Sequence, residues 1–385
     1  MRYQAIIFVL NFLCILSAVA APTIIPAPPQ IAGSGYILID AQSGKVIVEN
    51  NADERLSPAS LTKLMTSYVL SYELEQGNVS NDDWVTISKN AWAQNSIFAG
   101  SSLMWIEVGK QVKLADLHKG IVISSGNDAS VAVAEHLAGS ESAFADVMNQ
   151  HAKILGMQDT NFVNSHGLPA KNHYTTARDL SLLSQAIIKF PAEYSLYKEL
   201  EYTYNNIRQA NRNRLLWKDD TVDGLKTGYT KEAGYCLVAS AKRNDMRLIS
   251  VVLGASSRTA REIETQKLLS YGFRYFETHD LYSAGDELTV SKVWKGEADS
   301  LKLGTSRDIY LTIPRGKHKA LQAVMNLDEV IKAPVTKGKT YGELVVTLDD
   351  EELLRQPLVA LETIEKGGIF KQLWDGLILF LMKLF

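Results

Sequence analysis

Ser57-Pro58-Ala59-Ser60-Leu61-Thr62-Lys63-Leu64-Met65-Thr66 is the stretch on which the reading of this chain turns. After Pro58, Leu61, Leu64, Met65, Tyr68 and Tyr72 recur at three and four positions, which predicts a buried helix to about Gln76 with Gly77 as its stop. Ser60 falls in the first turn of that helix, where backbone N–H groups face incoming negative charge. Lys63 follows one turn later on the same face. A serine hydroxyl is a poor nucleophile at neutral pH, so an amine at this spacing supplies the base that acyl transfer needs.

Alone the pair is weak, since Ser195 and Lys198 repeat it, Ser88 and Asn90 imitate a partner motif, and Lys339-Thr340-Tyr341-Gly342 nearly imitates another. Only one set stands in the order that a serine acyl-transfer site requires: Ser60 and Lys63, then Ser125-Gly126-Asn127, then Lys226-Thr227-Gly228.

The chain has 385 residues, enough for two domains, and 46% hydrophobic against 22% charged residues excludes a disordered body. A net charge of -3 without a basic tract gives no footprint for nucleic acid. Arg2, an apolar run from Ala5 to Val19 and Ala18-Val19-Ala20 before Ala21-Pro22 read as a cleaved secretory signal over residues 1–20. Cys14 leaves with it, so Cys236 is the only mature cysteine, and export without a disulfide framework fits a large periplasmic or cell-surface protein. His118, His136, His151, His173, His279 and His318 show no zinc-binding spacing, and no dinucleotide or phosphate loop is visible. Neither a metal nor a cofactor is expected.

Residues 21–34 are a proline-rich lead. Tyr36–Asp40 and Lys45–Glu49 read as a hairpin, helices are expected at Ala129–Leu137, Ser142–Leu155 and Ala177–Lys189, and strands return at Gly234–Ala241 and Met246–Leu253. A long helix over Thr259–Phe276 closes this unit. From 277 to about 366 short β-like runs, such as Asp308–Ile313 and Glu343–Leu348, predict a second, all-β domain. Residues 367–385 carry Ile369, Phe370, Leu373, Trp374, Leu377, Leu381 and Leu384 on one stripe, marked by Lys371, Gln372, Asp375 and Lys383. At about 1.5 Å per residue this helix reaches about 25 Å, short of a hydrocarbon core of about 30 Å. It is expected to lie on a membrane surface, the alternative being a helix docked on the protein's own core.

Leu56–Thr66, Gly100–Met104, Ser125–Ala129, Ser165-His166-Gly167-Leu168, Asn211–Leu216 and Val222–Gly228 together resemble the low-molecular-weight penicillin-binding proteins that are serine-type D-alanyl-D-alanine carboxypeptidases, the peptidase S11 family. The resemblance runs from about Gly35 to the C-terminus. It implies an α/β transpeptidase/β-lactamase-like catalytic domain over 35–276, with an antiparallel sheet and flanking helices. A small all-β domain over 277–366 and an amphipathic anchor helix over 367–385 would follow. It also implies a peripheral place on the periplasmic side of a Gram-negative inner membrane.

The same resemblance assigns Ser60 as nucleophile on the penultimate D-alanine of a peptidoglycan pentapeptide ending in D-Ala-D-Ala, with β-lactams as acylating mimics. Lys63 would be the general base, Ser125 the relay towards the leaving nitrogen, and Asn127 the residue positioning the substrate amide and Lys63. Lys226 and Thr227 would dock the terminal carboxylate with Arg261 nearby, Gly228 would keep the strand clear of bulk, and the backbone N–H groups of Ser60 and Tyr229 would hold the oxyanion. His166 matches a position near the cleft and is open between substrate contact and structural hydrogen bonding; Arg212 and Arg214 are open between substrate contact and ion pairing.

Three rival activities remain to be tested against the structure. A β-lactamase needs a second carboxylate; Glu201, in an ExxxN with Asn205, is a candidate, but it lies 76 residues after Ser125 and close to Lys226, a poor match for that role. A D-alanyl endopeptidase would cleave cross-links with the same site, and a non-catalytic cell-wall-binding scaffold would leave the motif set idle.

Overall fold

Tyr36-Ile37-Leu38-Ile39 is apolar at four consecutive positions, and successive strand residues face opposite sides, so such a strand needs cover on both faces. The computed structural model describes residues 24–382; the expected signal, residues 1–20, lies outside the described residues. Within it, β1 (Gly35–Asp40) is buried along its whole length and pairs antiparallel with β2 (Val46–Asn50). With β3 (Val222–Thr230), β4 (Gly234–Arg243) and β5 (Met246–Ala255) they form a five-stranded antiparallel sheet in the order β2-β1-β5-β4-β3.

The longer helices are α1 (Thr62–Glu75), α2 (Asn127–Ala138), α3 (Glu141–Ile154), α4 (Ala177–Ile187), α5 (Arg258–Tyr275) and α6 (Ile369–Met382), with short helices such as Leu114–Lys119 and turns between them. Ile37, Ile39, Val238 and Val251 pack into one core with Leu64 and Met65 of α1 and Leu180 and Leu183 of α4. Tyr36, Leu38, Leu237 and Leu248, on the opposite face, pack with Leu268, Leu269 and Phe273 of α5. Each fully buried aliphatic side chain in these layers contributes about 1.5 to 3 kcal/mol. A third apolar cluster, including Leu70, Phe98, Met104 and Val131, holds α2 beside α1.

Side-chain caps start the structural helices: Ser140 accepts from Ala143 N at 3.2 Å, Thr176 from Asp179 N at 3.0 Å and Ser257 from Ala260 N at 3.0 Å. The helices that carry the serine motifs, α1 and α2, have no side-chain cap. Gly126, rather than Asn127, holds the cap position of α2, which leaves the Asn127 amide free for another partner.

After α5 the chain enters the β unit through β6 (Phe276–Tyr282), followed by β7 (Thr289–Trp294), β8 (Ser300–Gly304), β9 (Ile309–Pro314), β10 (Leu321–Leu327), β11 (Ile331–Lys332), β12 (Thr340–Leu348) and β13 (Glu351–Ala360). β6 pairs with β9, and the other six form a sheet in the order β10-β12-β13-β8-β7-β11. The junction between the units is polar: Thr278 Oγ1 donates to Asp40 Oδ2 at 2.7 Å, and Ser43 Oγ lies 2.6 Å from Thr312 Oγ1.

α6 docks by its polar marks. The Asp375 carboxylate accepts from Lys295 N at 2.6 Å, Lys371 pairs with Asp299, and Gln372 Nε2 donates to Gly367 O at 2.7 Å. Phe370, Leu373, Trp374, Leu377 and Phe380 are exposed. This is the reverse of a helix docked on its own core by its apolar stripe. Among the described residues no helix is long and apolar enough to cross a membrane.

Candidate active site

Ser60 lies in a tight 3-10 turn, Ala59–Leu61, that leads into α1. Two glycines make room for it. Gly167 has φ +87°, and a Cβ there would stand 1.8 Å from Ala59 O. On the opposite side a Cβ at Gly228 would come within 3.2 Å of both Pro58 O and Leu61 Cγ. The loop from Ser165 and strand β3 therefore clamp the nucleophile's turn by close backbone approach.

Lys63 is buried, and its Nζ meets Ser60 Oγ at 3.2 Å, Asn127 Oδ1 at 2.6 Å and His166 O at 2.5 Å. Asn127 Oδ1 and the His166 carbonyl can only accept. A neutral amine thus spends its two protons on them and turns its lone pair to the Ser60 hydroxyl, the geometry of a general base. Burial, opposed by the charge of Asp128 and aided by that of Arg212, brings the Lys63 pKa down to about 7.

Ser125 ends the π-helical turn Gly120–Ser124 in a left-handed conformation, φ 60° and ψ 37°. For a non-glycine residue this costs on the order of 1 kcal/mol and persists only where neighbours impose it. Here the N–H groups of Ser125 and Gly126 both donate to Gly120 O, the latter at 2.9 Å. Beyond this turn the buried Asp128 carboxylate accepts from Met104 N at 2.8 Å, Trp105 N at 2.8 Å, Ile106 N at 3.2 Å and Ala129 N at 2.9 Å, while Asn127 N donates to Ser102 O at 2.9 Å. The 102–106 segment and the start of α2 are thereby held as one body. Burial pushes the Asp128 carboxyl up, against these N–H donors.

Lys226 reaches across from β3, donating to Ser125 Oγ at 2.9 Å and to Thr227 O at 3.1 Å. Burial, with Lys63, Arg212 and Arg261 nearby, holds its pKa well below the ordinary lysine value. Arg261, on α5, donates to Gly228 O at 3.1 Å and Cys236 O at 3.4 Å, tying β3 and β4 from beneath, and burial brings its pKa to about 10. Tyr229 is half exposed and stacks on Tyr235 with centroids 4.3 Å apart.

These residues open onto a cleft of about 510 Å³ lined by Ser60, Ser125, Asn127, Thr227, Gly228 and Tyr229, together with Arg212, Arg214, Arg258 and Arg261. No Asp or Glu is among its lining residues. Glu201 pairs instead with Arg208 on a surface hairpin. The His166 ring stands behind the wall: its Nδ1 accepts from Leu168 N at 3.0 Å and its Nε2 lies 3.4 Å from Glu141 Oε1. Burial, with the charges of Lys63 and His173, lowers its pKa to about 3, so it is neutral with its proton on Nε2. What His166 offers the site is its carbonyl. Arg212 Nε donates to Ser124 O at 3.2 Å and the Arg214 guanidinium lies 5.2 Å from the Trp217 ring centre, so neither takes the ion pair weighed from sequence. Asp128, Gly167 and Arg258 carry parts of the site that the sequence reading missed. Asp128 and Gly167 lay inside motifs already quoted, but nothing local marks a carboxylate that collects distant N–H groups.

Residues 22–257 match the family model for D-alanyl-D-alanine carboxypeptidases, and residues 276–366 match that for the C-terminal domain of penicillin-binding protein 5. The chain is 48% identical over 358 residues to D-alanyl-D-alanine carboxypeptidase DacA of Escherichia coli, covering 92% of this chain and 89% of that one. Penicillin-binding protein 5 of Haemophilus influenzae superposes with a TM-score of 0.85 at 43% identity, covering 89% of this chain and all of that one. Penicillin-binding protein D2 of Listeria monocytogenes, in its ampicillin-bound form, superposes with a TM-score of 0.57 at 30% identity, covering 64% of this chain and 100% of that one. With its serine, lysine and Ser-Gly-Asn motifs drawn around one cleft and this likeness along nearly its whole length, the chain belongs to the D-alanyl-D-alanine carboxypeptidase family.

Proposed function

We propose that the protein is a serine D-alanyl-D-alanine carboxypeptidase that removes the terminal D-alanine from peptidoglycan pentapeptide through an acyl-enzyme on Ser60. The observation that carries this is the Lys63 amine, whose two acceptor-only partners leave its lone pair for Ser60 Oγ. Lys63 takes the hydroxyl proton as Ser60 Oγ attacks the carbonyl carbon of the penultimate D-alanine. The N–H groups of Ser60 and Tyr229 hold the oxyanion, each such donor being worth about 3 to 4 kcal/mol. Ser125, in contact with Lys226 Nζ, relays the proton taken up by Lys63, giving its own hydroxyl proton to the departing nitrogen and receiving that one, so free D-alanine leaves and Lys63 is neutral again. Lys63 then takes a proton from the water that attacks the ester carbonyl and returns it to Ser60 Oγ as the ester C–O bond breaks.

Thr227, with Lys226 and Arg261 behind it, docks the terminal carboxylate, and the excess of arginine over carboxylate along the cleft supports this orientation. β-Lactams acylate Ser60 in place of the peptide. The absence of a lining carboxylate supports slow release of that adduct, as expected of a penicillin-binding protein rather than a β-lactamase. The test is release of D-alanine from a pentapeptide by the full chain: Ser60→Ala should release none, and continued release by that variant overturns the assignment. Muropeptide mixtures containing cross-linked and pentapeptide species separate carboxypeptidase from endopeptidase activity by their products.

The working division is a catalytic domain over 35–276, a β domain over 277–366 and an anchor over 367–385, on the periplasmic face of the inner membrane after export by the leader. The outward apolar stripe of α6, with Trp374 on it, supports contact with a membrane surface. Vesicle sedimentation with and without residues 367–385 tests it; equal binding by both removes the anchor.

A further inference from the structure

His279 and His318 have no metal-binding spacing in the sequence, yet the fold joins them. Glu277 and His279 alternate on β6 and so face the same way. The turn after β9 brings back the short helical turn His318–Ala320. His279 Nε2 lies 3.2 Å and His318 Nδ1 3.9 Å from Glu277 Oε1, and one donor atom from each of the three residues falls within 4.8 Å of the others. His279 Nε2 is shielded from solvent but has no aligned hydrogen bond. Gly316 N donates to Glu277 Oε1 at 2.9 Å and fixes the carboxylate. The Arg315 guanidinium stands 3.7 Å from Oε2 and is itself held by the carbonyls of Phe273 and Phe276, which leaves Oε1 as the oxygen facing the two rings.

We infer that Glu277, His279 and His318 form a three-ligand site for a divalent first-row transition metal, zinc in particular, with a fourth position open to water. Two imidazoles and one carboxylate oxygen suit zinc and not magnesium or calcium, which take oxygen sets. Zinc with bonds of about 2.0 to 2.1 Å in a tetrahedron sets its donors roughly 3.4 Å apart, against 3.2 and 3.9 Å from the two rings to Glu277 Oε1 and no more than 4.8 Å between any two donors here. His318 is half exposed and free to close the difference. The ion would close β6 onto the turn after β9 where the chain leaves the catalytic unit, next to Thr278, whose hydroxyl already bonds Asp40. None of the three ligands lines the cleft, so the role is to fasten the junction.

The test uses the full chain in detergent, stripped with chelator and titrated with zinc chloride. One equivalent of zinc should survive gel filtration and raise the melting temperature, and cobalt(II) should give visible absorption at the same stoichiometry. His318→Ala, on the surface, and Glu277→Gln should each weaken zinc binding at least about 10-fold while D-alanine release stays unchanged. Failure of the parent to retain zinc, equal zinc affinity in His318→Ala, or an equal melting shift with magnesium would each overturn the site. Because D-alanine release is read separately, loss of the zinc site leaves the carboxypeptidase reading intact.

Discussion

Replacing Lys63 by methionine keeps the volume of the side chain and removes the amine on which acylation is proposed to depend. The structure places that amine 3.2 Å from Ser60 Oγ and brings its pKa from 10.5 to about 7. At pH 7.5 about three-quarters of such lysines are neutral, against about one in a thousand at the ordinary value, so burial raises the basic form by roughly three orders of magnitude. A positioned general base is worth about 10² to 10⁴ in rate. The second-order rate of acylation by a fluorescent penicillin, followed from pH 5 to 9, should rise about tenfold per pH unit below 7 and level off above about pH 8. Lys63→Met should acylate about 10² to 10⁴ more slowly at pH 7.5 and lose the inflection. Stability follows the same titration: between about pH 7 and 10.5 the unfolded chain holds a proton that the folded one has released, so the Lys63 contribution to stability rises with pH across that window and is lost below it. Lys63→Met should reduce the slope by the Lys63 share and leave that of Lys226, whose pKa is depressed in the same direction. Acylation by the variant within tenfold of the parent, or a surviving inflection near pH 7, would refute this reasoning.

Gly167→Ala puts a methyl where only 1.8 Å separates it from Ala59 O, so penicillin labelling should fall at least about 100-fold and the melting temperature should drop; full labelling by a stable variant would contradict the clamp. Penicillin should label the protein stoichiometrically, leave slowly, and do so unchanged in Glu201→Gln, since Glu201 is paired with Arg208 and is not among the residues lining the cleft. Rapid nitrocefin turnover lost in Glu201→Gln would instead restore the β-lactamase reading.

Local pattern carried much of the fold. The helix after Pro58, the hairpin from Tyr36 and the strands after Gly234 lie within a few residues of their expected bounds, because apolar spacing and turn chemistry are read within one element. The long helix was expected over Thr259–Phe276 and is observed over Arg258–Tyr275, where Ser257 supplies the cap. Strand order was not legible: β1 pairs with β5, and long-range pairing leaves no local mark. The same limit applies to the site. The motifs name Ser60, Lys63, Ser125 and Lys226, but that the His166 carbonyl rather than its ring meets Lys63, and that Asp128 gathers the backbone of residues 104–106, follow only from the packed chain. Asp375 shows the converse, since it marks a polar interruption in an apolar stripe and proves, with Lys371, to be where the helix is attached.

Peptide mapping after labelling with penicillin tests the central claim most directly. The account predicts one adduct per chain, on Ser60 within the peptide containing Leu61-Thr62-Lys63, and none in Ser60→Ala. An adduct on Ser125 or Ser195, or labelling that survives Ser60→Ala, would contradict it.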